Sequence, residues 1–103
     1  TYFFVSKSFR NLDYKGNLDS AYFEDLFADA IAVAKERNVA LYCGEYGVIE
    51  NADPANTVLW YKAIHEVFVK YGIGRAAWSY KEMDFDLRAD RLKPVFAELK
   101  KYF

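Results

Sequence analysis

Residues 39–50 read VALYCGEYGVIE, and the organisation of the chain follows from how that stretch is taken. Val39 to Cys43 is a short apolar run without polar alternation, the pattern of a strand covered on both faces. Glu45 comes directly after it, between Gly44 and Gly47. A carboxylate at the carboxyl end of a parallel strand stands where α/β folds place their ligands. Glycines beside it permit close approach or a positive φ. A rigidly held carboxylate there can serve as a nucleophile or a base. An ordinary strand-to-helix turn explains G-E-x-G as well, so the motif alone decides nothing.

Outward from this stretch the pattern is helical on both sides. Upstream, residues 20–38 repeat Phe23, Leu26, Phe27, Ala30, Val33 and Ala34 at three- and four-residue spacing, with Asp25, Asp29 and Glu36 opposite. Asp19 or Ser20 can cap the start, and Lys35 and Arg37 suit the carboxyl end of a helix dipole. Downstream, Asp53-Pro54 signals a new helix. Trp60, Ile64, Val67, Phe68 and Tyr71 mark its buried face, and Gly72 can end it in a left-handed conformation. Residues 73–80, IGRAAWSY, read as a second buried strand. A last helix is expected from about Leu92 to Tyr102, with Pro94 in its first turn and Leu92, Val95, Phe96 and Leu99 inward. Residues 2–5 carry a further strand fragment, and residues 1–19 read as the remnant of a preceding strand and loop.

Two strands separated by one helix and short loops are expected to lie parallel. Two parallel strands leave open edges and half-covered apolar faces. The chain of 103 residues has room for one domain, and no linker divides it. Its fold class is α/β, and the pattern is that of a piece of a larger parallel sheet or barrel. The abrupt aromatic start, TYFFVSKSF, also reads as the interior of a longer chain, with no secretion signal in front of it.

Composition narrows the function classes. Fifteen acidic and fourteen basic side chains give a net charge of −1, without the clustered basic surface that nucleic-acid binding needs. No apolar stretch approaches the roughly 20 residues of a membrane helix. Cys43 is the single cysteine and reads as a buried small hydrophobe. His65, the single histidine, has no second histidine at the spacing of a metalloprotease helix and reads as a surface or packing residue. Asp84 and Asp86 lack the ligand spacing of a calcium loop. Glu50, Asn51 and Asp53 are explained by capping and solubility as well as by ligand contact. Tyr14, Tyr22 and Phe23 are expected to pack the outer helices.

A second motif stands at residues 76–86, AAWSYKEMDFD. Trp78 falls near the carboxyl end of the second strand, on the same rim as Glu45 if the strands are parallel, where an indole can stack on a sugar ring. A lone Trp in a buried strand is equally a core residue. Together, GEYG (44–47), the helix after it, KYGIGRAAWSYKEMDFDL (70–87) and the closing helix resemble the C-terminal quarter of a family 5 glycoside hydrolase, with the resemblance spanning roughly residues 20–102. It implies a parallel β-α-β-α segment of a (β/α)8 TIM barrel, strands 7 and 8, incomplete on its own. It further implies that Glu45 is the catalytic nucleophile, that Trp78 lines the subsite of the sugar under attack, and that Lys81 and Glu82 bind the adjacent sugar. No cofactor and no metal are implied. The parent enzyme would be an endo-acting β-1,4-glucanase, cleaving with retention, extracellular or periplasmic, with a β-glucan as its partner.

The chain departs from that family in lacking the acid/base half of the site. Retaining hydrolysis uses two carboxyl groups roughly 5–5.5 Å apart, and the Asn-Glu pair that supplies the second in the family has no counterpart here. The isolated chain is therefore expected to be inactive, and to oligomerise or lose its packing unless remaining barrel strands or other copies of the chain complete the sheet. A non-catalytic carbohydrate-binding remnant and a small structural α/β domain are the alternative readings.

Overall fold

A computed structural model describes residues 19–50, 52–80 and 84–103. The strand fragment expected at residues 2–5, Tyr14, Asn51, Lys81 and Glu82 lie outside the described residues. Within them the order is α1 (Ser20–Arg37), β1 (Tyr42–Tyr46), α2 (Pro54–Tyr71), β2 (Gly74–Ala77), and a closing segment. That segment is 3₁₀ over Asp90–Val95, α-helical over Phe96–Leu99 (α3), and 3₁₀ again over Lys100–Tyr102. The two strands pair in parallel, Tyr42 with Gly74, Cys43 with Arg75 and Tyr46 with Ala77. The fold is thus α/β, an open parallel β-α-β-α segment of the kind that an incomplete barrel leaves.

The helix ends follow from their capping residues. Asp19, rather than Ser20, caps α1, its carboxylate accepting from the Tyr22 amide at 3.3 Å. Asn38 stops α1 in a left-handed conformation (φ 54°), its N–H directed to the Ala34 and Lys35 carbonyls. Asp53 accepts from Ala55 N–H at 2.8 Å at the start of α2, and Gly72 (φ 63°) ends it. The closing helix is broken into short pieces rather than continuous, with Pro94 inside the first 3₁₀ stretch. Proline has no N–H to give an α-helical turn.

β1 is displaced from its expected position, while β2 falls within residues 73–80 but is shorter. β1 begins three residues later than the apolar run and takes in Gly44, Glu45 and Tyr46, while Val39 is 57% exposed. Pairing begins where Gly74 N–H reaches the Leu41 carbonyl (3.1 Å), so residues before it have no strand beside them among the described residues. The covering of both strand faces, expected from the sequence, is realised on the α2 side. There Tyr46, Trp60, Tyr61, Ile64, Val67 and Phe68 are buried to within 1%. The Tyr46 ring stacks on Trp60 at 6.2 Å and meets Phe68 edge-on at 5.0 Å, and Phe23 of α1 meets Trp60 edge-on at 5.4 Å. Aromatic pairs of this geometry add to what burial alone contributes.

The expected inward face of α1 is only partly buried. Phe23 and Ile31 are inside, whereas Leu26 and Val33 remain 41% and 44% exposed. Leu26, Phe27 and Ala30 line an apolar groove of about 320 Å³ with Leu41 and Tyr42 at the beginning of β1. Cys43, Phe68 of α2 and Ile73, just before β2, complete its lining.

Candidate functional site

The carboxyl ends of the two strands meet in one rim. Between the pairs Cys43–Arg75 and Tyr46–Ala77, β1 supplies two residues, Gly44 and Glu45, where β2 supplies one, Ala76. This is the geometry of a β-bulge, a device that re-aims a side chain. Tyr46 is buried against α2, whereas Glu45, within the bulge, is exposed. Trp78 lies just beyond the end of β2. Its N–H bonds the Tyr46 carbonyl at 2.8 Å, one residue beyond the Ala77–Tyr46 pair, and its side chain is half-buried. Glu45 and Trp78 therefore both stand at the carboxyl-end rim of adjacent parallel strands. The peptide bond from Trp78 to Ser79 is cis.

Gly47 is where the rim closes. A Cβ there would run into the Trp78 carbonyl oxygen and lie 3.4 Å from the Phe85 ring. Close approach is thus the reason for this glycine. Neither Gly44 nor Gly47 has a positive φ, the other option open from the sequence. Cross-ties continue outward. Ser79 N–H bonds the Phe85 carbonyl (3.0 Å), Leu87 N–H bonds the Ser79 carbonyl (2.9 Å), and Glu50 N–H bonds the Asp84 carbonyl (2.7 Å). The loops after β1 and β2 are one hydrogen-bonded layer.

Arg91 fastens that layer from below, donating from Nη1 to the Ala52 carbonyl (2.9 Å) and from Nη2 to the Ile49 carbonyl (3.3 Å). Burial pulls its guanidinium below the ordinary arginine range. Nothing in the sequence distinguishes Arg91 from a solvated cation at the start of a helix. Its partners are carbonyls about forty residues away, which carry no side-chain signature.

The remaining candidates are placed plainly. Cys43 donates a weak bond from Sγ to the Glu45 carbonyl (3.4 Å), and burial pushes its thiol up, away from nucleophilic character. His65 is half-buried on α2 and accepts at Nδ1 from Arg75 Nη2 (2.7 Å), a bond between α2 and the β2 residue that pairs with Cys43. Asp53 is occupied in capping, and Asp84 takes part in the rim through its carbonyl. Tyr46 and Tyr61 behind the rim are buried phenols, both pushed above the ordinary tyrosine range by desolvation.

With this geometry in view, the relatives acquire a meaning. Over 55 residues the chain is 49% identical to cellodextrinase A of Ruminococcus flavefaciens, a stretch covering 53% of this chain and 16% of that protein. Over 70 residues it is 40% identical to endoglucanase C of Acetivibrio thermocellus, covering 68% of this chain and 20% of that protein. The chain is similar in part to cellulase-like proteins. No family model matches it. Among solved structures, an endoglucanase superposes with a TM-score of 0.64 at 19% identity, over 78% of this chain and 27% of that one. The cellulose synthase subunit Z (CcsZ) of Clostridioides difficile does so with a TM-score of 0.63 at 23% identity, over 78% and 28%. At these identities the structural likeness speaks for the fold. The chain spans about a fifth of the length of the curated relatives it matches. A match of 70 residues within 103 necessarily includes residues 34–70, and Glu45 with them.

Proposed function

We propose that this chain is the nucleophile-bearing part of an endo-acting β-1,4-glucan hydrolase, a glycoside hydrolase that works with retention through a glycosyl-enzyme intermediate. The observation that carries the reading is the strand register. It sets Glu45 and Trp78 at the carboxyl ends of adjacent parallel strands, within a chain that matches cellulase-like relatives. The barrel position, strands 7 and 8 of a family 5 (β/α)8 TIM barrel, belongs to this proposal, as does an extracellular or periplasmic setting for the parent.

In that mechanism Glu45 attacks the anomeric carbon and forms an ester, while a second carboxylic acid from the rest of the protein protonates the leaving oxygen and later activates water. The Glu45 carboxylate is carried on a bulged strand end that is cross-tied to its neighbour, so little reorganisation accompanies attack. Trp78 offers an apolar face to the sugar ring beside it. Lys81 and Glu82, three and four residues further on, are proposed to bind the adjacent sugar. The chain alone lacks the acid/base group, and with it several kcal/mol of transition-state stabilisation.

The test is turnover of carboxymethylcellulose by three proteins: the full-length parent, the parent carrying Glu45→Gln, and the 103-residue chain. The parent is expected to be active, the variant reduced by roughly 10³-fold or more, and the chain alone at solvent background. Near-normal activity of the variant would remove Glu45 from the nucleophile role. Robust turnover by the chain would show that the missing strands are dispensable.

A further inference from the structure

Tyr80 stands two residues beyond Trp78 and is 63% exposed, a large aromatic in water at the end of the sheet that carries Glu45. An exposed aromatic of that size is commonly free to rotate, but Tyr80 is held. Arg88 donates from Nη1 to its hydroxyl at 3.1 Å, and the same guanidinium lies over the Tyr80 ring at 5.6 Å from the centroid. Arg88 is itself seated, over the Phe96 ring at 5.7 Å, with its N–H bonded to the Asp86 carboxylate at 2.8 Å. The backbone on both sides of this arrangement is tied by the Ser79–Phe85 and Leu87–Ser79 hydrogen bonds. A ring fixed by a cation, with much of its surface still exposed, is a preorganised stacking platform.

We propose that Tyr80 is a second sugar-stacking platform, one sugar unit or more beyond Trp78, and that Arg88 is its positioning residue. Its ligand is the apolar face of a pyranose in a chain longer than the disaccharide. Tyr80 follows Trp78 by two residues, across the buried Ser79, and is assigned to a different sugar of the same glycan. The assignment rests on the glycan-binding reading of the rim. It adds to that reading a residue that selects for chain length without touching the bond that is cleaved.

The experiment measures calorimetric Kd in the full-length protein carrying Glu45→Gln, with cellohexaose and with an aryl β-glucoside as probes. Tyr80→Ala is expected to weaken cellohexaose about tenfold, which corresponds to about 1.4 kcal/mol, and to leave the aryl glucoside within about twofold. Tyr80→Trp, which keeps the stacking face, is expected to restore cellohexaose binding. Arg88→Met, which keeps the stem and removes the cation, is expected to weaken cellohexaose about threefold. An unchanged cellohexaose Kd for Tyr80→Ala overturns the proposal, as does an equal loss on both probes, which would mark a structural role. If the parent hydrolyses glucan and Glu45→Gln abolishes that, while Tyr80→Ala changes nothing, the platform falls and the nucleophile reading stands. If the parent neither binds nor cleaves glucan, both fall.

Discussion

Tyr46 and Tyr42 lie four residues apart on one strand and have opposite fates: 1% exposed against 68%. Tyr46 faces α2 and sits in a finished aromatic core, in contact with Trp60, Tyr61 and Phe68. The Tyr42 ring instead lies over its partner strand, where a Cβ on Gly74 would come within 3.0 Å of it, and helps line the apolar groove while staying exposed. The side of the sheet packed on α2 is therefore complete among the described residues, and the surface that carries Tyr42 is not. The difference explains how a short chain holds a well-packed strand–helix layer while presenting a two-stranded parallel sheet, an arrangement with too few partners to stand comfortably alone.

The comparison can be broken most forcefully in the core. Tyr46→Ala in the full-length parent is expected to cost about 3–5 kcal/mol, the range for losing a buried aromatic, read as a shift in the denaturant midpoint with the slope unchanged. A cost under 1 kcal/mol would mean that the α2 side is not the packed face. Next comes Gly47→Ala. The added methyl meets backbone at the Trp78 carbonyl rather than a movable side chain, so a loss of about 1–3 kcal/mol is expected, together with reduced glucan turnover because the rim that carries Glu45 and Trp78 must open. Wild-type stability and turnover in this variant would show that the two loops are not locked together.

Tyr42→Ala sharpens the comparison rather than breaking it. In the isolated chain it is expected to change stability by less than about 0.5 kcal/mol, as exposed substitutions do. In the parent it should cost clearly more if the rest of the protein covers this surface. Equal effects in the two settings would contradict the incomplete-sheet account.

The smallest expected effect is a pH dependence. Desolvation first, and the Arg75 cation second, hold His65 below its ordinary value of 6.5, while the Tyr102 carbonyl and Glu66 act the other way. Arg75 can only donate, so its bond requires an unprotonated Nδ1. A lowered folded pKa means that the unfolded chain binds more protons, so this contribution is fully present above about pH 6.5 and is lost as pH falls through the lower folded value. Tm should therefore drop modestly between pH 7 and pH 5, and His65→Gln should flatten that part of the profile. Glu98 and Asp90, held below the ordinary carboxylate range by Lys101 and Lys93, act at lower pH. An unchanged slope in His65→Gln would remove the His65–Arg75 contact from the account.

Much of this was legible in the sequence, and the limits are physical. The helices were readable because caps and periodicity are local: Asp53-Pro54 and Gly72 stand at the two ends of α2. Parallel pairing followed from one helix between two apolar runs. The strand limits did not, because pairing depends on the neighbour, and β1 starts at Tyr42 where β2 comes alongside rather than at Val39 where the apolar run begins. The position of Glu45 and Trp78 at a common rim was readable from their place at the ends of those runs. The bulge at Gly44–Glu45 depends on the register with β2, the Arg91 bonds reach carbonyls about forty residues away, and the Arg88–Tyr80 bracing closes an eight-residue loop, and no residue type marks any of them in advance.

The central claim, that Glu45 is the nucleophile, is tested most directly by trapping. The full-length parent is incubated with a 2-deoxy-2-fluoro cellobioside bearing a good leaving group, digested, and its peptides are weighed. The account predicts a stable glycosyl ester on the peptide containing residues 44–47, located to Glu45 by fragmentation and absent from Glu45→Gln. An ester on another carboxylate, or rapid hydrolysis of natural substrate with inversion and no ester at all, would contradict it.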